Sequence, residues 1–293
     1  MAVCSVDIAR IALKIQGEST GRSPKAIRRA RTVSPKYNNK NLMSVTCSSN
    51  NEQVRRIGSR AVVCAAGSSS STQGPPEKDV QAVVTYFGAT ALQWGLMMGA
   101  LGGLQLLTEA LASSDAPDWS AKAVVVLFFG TMSIKSRIFS PLDNSRPTIE
   151  KDGKKMNVMD DRIRPSWMPP PLAFPIIWST IGLLRTFSSV AVWEACDRNL
   201  VVLPLALMMV HLAIGDTWNT INNVERRMGT AVAGVALVWL SVIAVDSAYF
   251  NTTTTAGLLL APSVVWLSVA SFLVYTINQL NGPEPLFPVK KDS

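Results

Sequence analysis

From Val80 to Leu280 the sequence is a succession of long apolar runs separated by short polar breaks, and this leaves few folds open. A bilayer core takes about 20 mostly apolar residues as a helix. Val80–Thr108 carries no charge, and Pro169–Trp193, Leu200–Ile221, Gly229–Phe250 and Ala256–Leu280 are of similar length. The run Asp118–Phe139 is weaker. Only Ala123–Ile134 is uncharged there, and Lys122, Lys135 and Arg137 flank it as cations able to snorkel to the interface. Backbone amides in lipid must be bonded internally, so each run predicts a helix. The short later breaks predict antiparallel neighbours. The expected fold is an all-α, polytopic membrane helix bundle with six spans, or five if 118–139 lies on the surface.

Charge is distributed unevenly. The formal balance of +8 suggests a nucleic-acid partner until it is located. Residues 1–76 hold 12 Lys/Arg against 3 Asp/Glu, and the remainder hold 16 against 17. The body therefore has no basic face, and nucleic acid is excluded as a partner. The first quarter is rich in Ser, Arg and Lys, poor in acids, and lacks a secretory apolar core, which are transit-peptide traits. Val62-Val63-Cys64-Ala65 resembles a plastid processing site, predicting a transit peptide over 1–64 and a flexible Gly/Ser/Pro linker over 65–79. Cleavage there leaves Cys196 as a single thiol. With six spans, the 141–165 loop, Arg226-Arg227 and Lys290-Lys291 fall on one side with ten cations, marking the retained face. The expected location is a multi-pass chloroplast membrane protein, in envelope or thylakoid.

The segment Arg164-Pro165-Ser166-Trp167-Met168-Pro169-Pro170-Pro171-Leu172-Ala173-Phe174-Pro175-Ile176-Ile177-Trp178 resembles the TspO/MBR family. That family opens its second helix on Pro-Ser-Trp-x-Pro-Pro, an aromatic, Phe and Trp, and closes it with a Trp matched by Trp193. The resemblance continues at Trp218, seven residues before Glu225-Arg226-Arg227-x-Gly229-x-Ala231. It returns at Pro262-Ser263-Val264-Val265-Trp266-Leu267-Ser268 and Tyr275. It implies a five-helix core over 119–281, often dimeric, with a cavity opening toward one face. Tetrapyrroles such as protoporphyrin and haem, and in some members sterols, are the ligands it implies. Val80–Thr108 is then an extra N-terminal transmembrane helix, and 282–293 a polar tail.

The residues read compatibly on physical grounds. A Pro-rich start costs a helix little, because the missing donors are unpaired there anyway. Pro170 and Leu172 are thus expected at a cavity roof. Trp178, Trp218 and Trp266 sit on three different spans and suit stacking on a flat ring, the alternative being lipid-facing or interfacial Trp. Gly95, Gly99 and Gly103 fall four apart on the first span, expected either to pack internally or to join two copies.

Several family positions differ. The aromatic after Pro-Pro is Leu172, and Gly182, Gly215, Gly234 and Val274 replace polar family residues. The sterol pattern after Tyr275 lacks its cation, Gln279 standing in its place. In exchange, Arg185, His211 and Asp216 lie inside apolar runs, where ionisable groups mark functional candidates. Arg185 is read as a partner of Asp216, as a contact for a ligand carboxylate, or as a snorkelling cation. His211, the single histidine, is read as a packing residue or as an axial ligand to a tetrapyrrole metal. No catalytic constellation is present, no metal site is expected, and no cofactor is required beyond haem or porphyrin as ligand. Expected partners are membrane lipid, a tetrapyrrole-like small molecule, and a second copy or another membrane protein. Two functions remain open: a non-catalytic carrier of a tetrapyrrole or similar ligand, and a structural or assembly protein of a plastid membrane.

Overall fold

The computed structural model describes residues 77–117, 119–134, 140–142, 148–151, 154–157 and 162–290. The expected transit peptide and the linker up to residue 76 lie outside them. Among the described residues six helices follow in order: α1 (Val80–Ala112), α2 (Trp119–Ile134), α3 (Ala173–Ala195), α4 (Leu203–Asn223), α5 (Met228–Thr252) and α6 (Thr254–Leu280). A small antiparallel hairpin, β1 (Thr148–Lys151) with β2 (Lys154–Asn157), stands in the loop between α2 and α3. Helices α1, α3, α5 and α6 are long and apolar enough to cross a bilayer. The weaker second run becomes a shorter helix, α2, of 16 residues. In α4, His211, Asp216, Asn219, Asn222 and Asn223 dilute an otherwise apolar helix.

The helices close into a ring. α1 packs on α4, α4 on α5, α5 on α6, α6 on α3, α3 on α2, and α2 returns to α1. The extra helix is thus one of the ring's six members, filling the position between α2 and α4. One end of the ring is solid. Leu101, Val125, Trp193, Leu205, Met208, Tyr249 and Leu260 bring all six helices into one buried cluster there. The tight α5–α6 connection serves this end: Thr253 is extended, and a Cβ on Gly257 would lie 2.2 Å from the Phe250 ring. Cys196, buried just after α3, is disulfide-bonded in the full chain, whereas the processing expected above would leave it a single thiol.

The outward side of α1 carries its glycines. Added Cβ atoms on Gly95, Gly99 and Gly103 would meet nothing within 4 Å, so the internal-packing alternative for this stripe does not hold. The reason is a competing stripe, Tyr86, Gln93, Met97, Leu101, Leu104 and Thr108, which turns inward. Part of it is polar: Tyr86 donates to Glu225, Gln93 donates to Asp216, and the Thr90 and Thr217 hydroxyls are 2.7 Å apart. Between helices in lipid such polar pairs act as fasteners, because an unpaired group would have no water to turn to.

The open end is tied by the segment before α1 and the segment after α6. Residues 77–79, at the close of the expected linker, run antiparallel to 288–290, with Asp79 N donating to Pro288 O and Lys290 N to Glu77 O. Arg227 bonds Asp79 Oδ2 at 2.7 Å and Val289 O at 3.0 Å. The tail crosses so close to α5 that a Cβ on Gly229 would lie 2.3 Å from Pro285 O. The Ala82 amide and then Arg227 hold the Asp79 carboxyl below its usual range. Its contribution is therefore complete above the unfolded value, about 3.9, and lost as pH falls through the lower folded value. Between pH 6 and pH 3 the thermal midpoint in detergent is expected to fall further in wild type than in Asp79→Asn.

Candidate ligand cavity

The end of the ring opposite the solid core is hollow. A cavity of about 130 Å³ lies between α3, α4, α5 and α6, and Trp178, Trp218 and Trp266 all line it. The three residues stand on α3, α4 and α6 and share this one hollow, each ring half-buried. Trp266 is the hub: its ring meets Phe174 edge-on at 6.0 Å and Trp178 at 6.4 Å. T-shaped contacts of this kind hold aromatic walls in register. Trp218 is fixed differently, by donating its indole N–H to Ala231 O at 3.0 Å. Trp266 Nε1 is buried and has no acceptor among the described residues.

Two of the family departures have a steric explanation. A Cβ on Gly234 would lie 3.0 Å from Trp218 Cδ1, so an Asp there would displace the indole from its present pose. A Cβ on Gly182 would lie 3.2 Å from Ser133 Cβ, and Ser133 Oγ reaches Gly182 O at 3.3 Å, so α2 approaches α3 closely at this point. Gly215 faces open space and nothing in the structure explains it.

The roof is the segment before α3. Met168 and Arg162 reach the cavity, while Pro170 and Leu172 are exposed and outside its lining, Leu172 at 74%. The helix begins at Ala173, which turns Phe174 inward in place of Leu172. The segment is latched to α6 and its C-cap: Ile163 N donates to Asn281 Oδ1, Asn281 Nδ2 returns a bond to Ile163 O, and Trp167 stacks on Phe272 at 5.4 Å. Arg162 pins it to α4 through Asn222 O at 2.9 Å. In the sequence Arg162 is simply one of the ten cations of the retained face. Its burial comes from the return of this segment over α4, a long-range event with no local signal.

Arg185 and His211 are not in the cavity. Each lies seven residues, or two turns and about 10.5 Å, from Trp178 and Trp218 on the same helices. Val238 and Leu267, packed with Ile214 and both indoles, form an apolar layer above them. Ser241 Oγ donates to Val238 O, and so accepts from His211 Nδ1 at 2.8 Å. The imidazole is then neutral, with its Nε2 lone pair facing Arg185 Nη2 at 3.4 Å. An axial metal ligand needs that lone pair, so the arrangement suits packing. Asp216 sits close enough to pull on the guanidinium. The Arg185 guanidinium thus contacts His211 and lies within electrostatic reach of Asp216, which accepts from Gln93 on α1.

The TspO/MBR family model matches residues 147–280, which covers the hairpin and the four helices around the cavity. Protein CrtK of Rhodobacter capsulatus is 33% identical over 129 residues, 43% of this chain and 81% of that protein. The tryptophan-rich sensory protein of Cereibacter sphaeroides is 30% identical over 126 residues, 43% of this chain and 78% of the relative. The human translocator protein is 29% identical over 116 residues, with 39% and 69% covered.

Proposed function

The chain belongs to the TspO/MBR family of membrane proteins, and on that premise we propose that it binds, sequesters or transports a tetrapyrrole or similar flat apolar ligand without catalysis. The observation that carries this reading is the convergence of Trp178, Trp218 and Trp266 on one hollow. Indole walls offer a flat ring stacking area at little entropic cost, and the scarcity of acid–base groups around them suits binding and not chemistry. At about 130 Å³ the hollow is smaller than a usual ligand pocket of 300–1,000 Å³, so a macrocycle enters by lifting the roof from Asn281 and Phe272.

Arg162, Arg226, Arg227 and Lys290 all lie toward the cavity end, and Lys122 and Arg198 toward the other. By the positive-inside bias the cavity then opens on the retained side, the stroma for a plastid inner membrane or thylakoid. A structural or assembly role in such a membrane is the second reading. The open glycine face of α1 favours it, since close helix approach by a second copy or another membrane protein needs such a surface.

Titration of the detergent-solubilised protein with protoporphyrin, read by the porphyrin's own absorption shift, separates the two. Saturable binding weakened about 2- to 12-fold by Trp218→Ala and by Trp266→Ala is the expected result, in line with one lost aromatic contact each. Binding that both variants leave unchanged removes the cavity from the function. A stoichiometric protein partner and no pigment in material from the native membrane supports the assembly role.

A further inference from the structure

We propose that Arg162 anchors an anionic group of the ligand, making the cavity selective for flat apolar molecules that carry a carboxylate over their neutral counterparts. The proposal rests on the ligand-binding reading above and adds the polar end of the ligand to it. Arg162 lines the cavity at 8% exposure, in the same wall system as the three indoles. Its protein contacts are neutral: Nη2 donates to Asn222 O at 2.9 Å and Nη1 to Asn222 Oδ1 at 3.4 Å. No carboxylate forms an ion pair with it among the described residues. Guanidinium groups carry five donors, so two contacts leave most of the fork unused.

A buried cation normally has a paired anion, because desolvating an unpaired one is costly. Burial, and next the repulsion of nearby Arg226, push the Arg162 pKa below its ordinary value, with Glu284 acting weakly in the other direction. Among the described residues the site is therefore short of negative charge. Asn222 orients the guanidinium from the end of α4, and planar forks of this kind match carboxylates with two parallel bonds. A ligand stacked among the tryptophans with its acidic edge toward the mouth meets all of these demands. Arg185, beneath the apolar layer, meets none of them.

The test compares protoporphyrin with its dimethyl ester on wild type, Arg162→Gln and Arg162→Lys, in detergent and by absorption. Wild type is expected to bind the diacid at least tenfold more tightly than the diester. Arg162→Gln brings the diacid down to the diester's affinity and leaves the diester unchanged, which shows the cavity is still formed. Arg162→Lys restores part of the difference. Equal binding of acid and ester by wild type overturns the inference and leaves the ligand-binding reading standing. Equal loss of both ligands in Arg162→Gln also overturns it, since Arg162 would then only hold the roof. Failure of wild type to bind either one overturns the reading itself.

Discussion

Asp216→Ala is expected to destabilise the protein by about 3–5 kcal/mol, among the largest effects of any single substitution here. The carboxylate accepts from Gln93 on α1 and lies within electrostatic reach of Arg185 on α3. Removing it leaves a Gln93 amide that is only 2% exposed without its acceptor, and takes away a negative charge within electrostatic reach of the Arg185 guanidinium. Truncating one partner of a buried charge pair is costly for that reason, whereas replacing both with apolar groups is often neutral. Asp216→Ala/Arg185→Met is accordingly expected to recover most of the loss. Asp216→Asn keeps an acceptor for Gln93 and loses the charge, and falls between. Denaturant or thermal unfolding in a fixed detergent reads all three. If the double variant is as unstable as the single, the network is not acting through charge balance. Protoporphyrin binding by folded Asp216→Asn should stay close to wild type, because an apolar layer separates the network from the cavity.

The helical body was legible because lipid burial is written in composition: uncharged runs of the right length need no partner to declare themselves. The three-tryptophan hollow was legible too, through residues spaced on separate spans and a family pattern around each. What escaped the sequence depends on which side of a helix faces which neighbour. Gly95, Gly99 and Gly103 make an obvious periodic stripe, yet the inward side of α1 is set by Tyr86, Thr90 and Gln93, whose partners lie more than 120 residues away. Leu172 reads as a roof residue from its place after the prolines, and the chain turns Phe174 inward from the first turn of α3. Gly234 looked like a lost polar handle, and the structure reads it as room for the Trp218 indole. Arg162 shows the limit most clearly: a cation in a mixed-charge loop is ordinarily solvated, and only the fold buries it.

Trp193→Ala is expected to cost a further 3–5 kcal/mol, measured the same way, with the damage at the opposite end of the molecule. The indole is 2% exposed and packs in the cluster where all six helices meet. Truncation there leaves a void lined by side chains from several helices, which cannot collapse without moving the ring. It also loosens the α3–α4 turn. Trp193 Nε1 donates to Arg198 O at 2.8 Å, the Arg198 guanidinium sits 5.9 Å over the ring, and Asp197 and Arg198 hold positive φ values of 53° and 61°. Non-glycine residues in that region are strained and persist when their surroundings fix them. Trp193→Phe keeps much of the volume and loses the bond, so about 1–2 kcal/mol is expected. The cavity tryptophans supply the contrast. Trp218 and Trp266 border an existing hollow and are half-buried, so their alanine variants should lose ligand affinity with less loss of stability. Should Trp193→Ala prove no less stable than Trp218→Ala, the solid end is not what holds the ring closed, and the division of the bundle into a packed base and a hollow mouth fails with it.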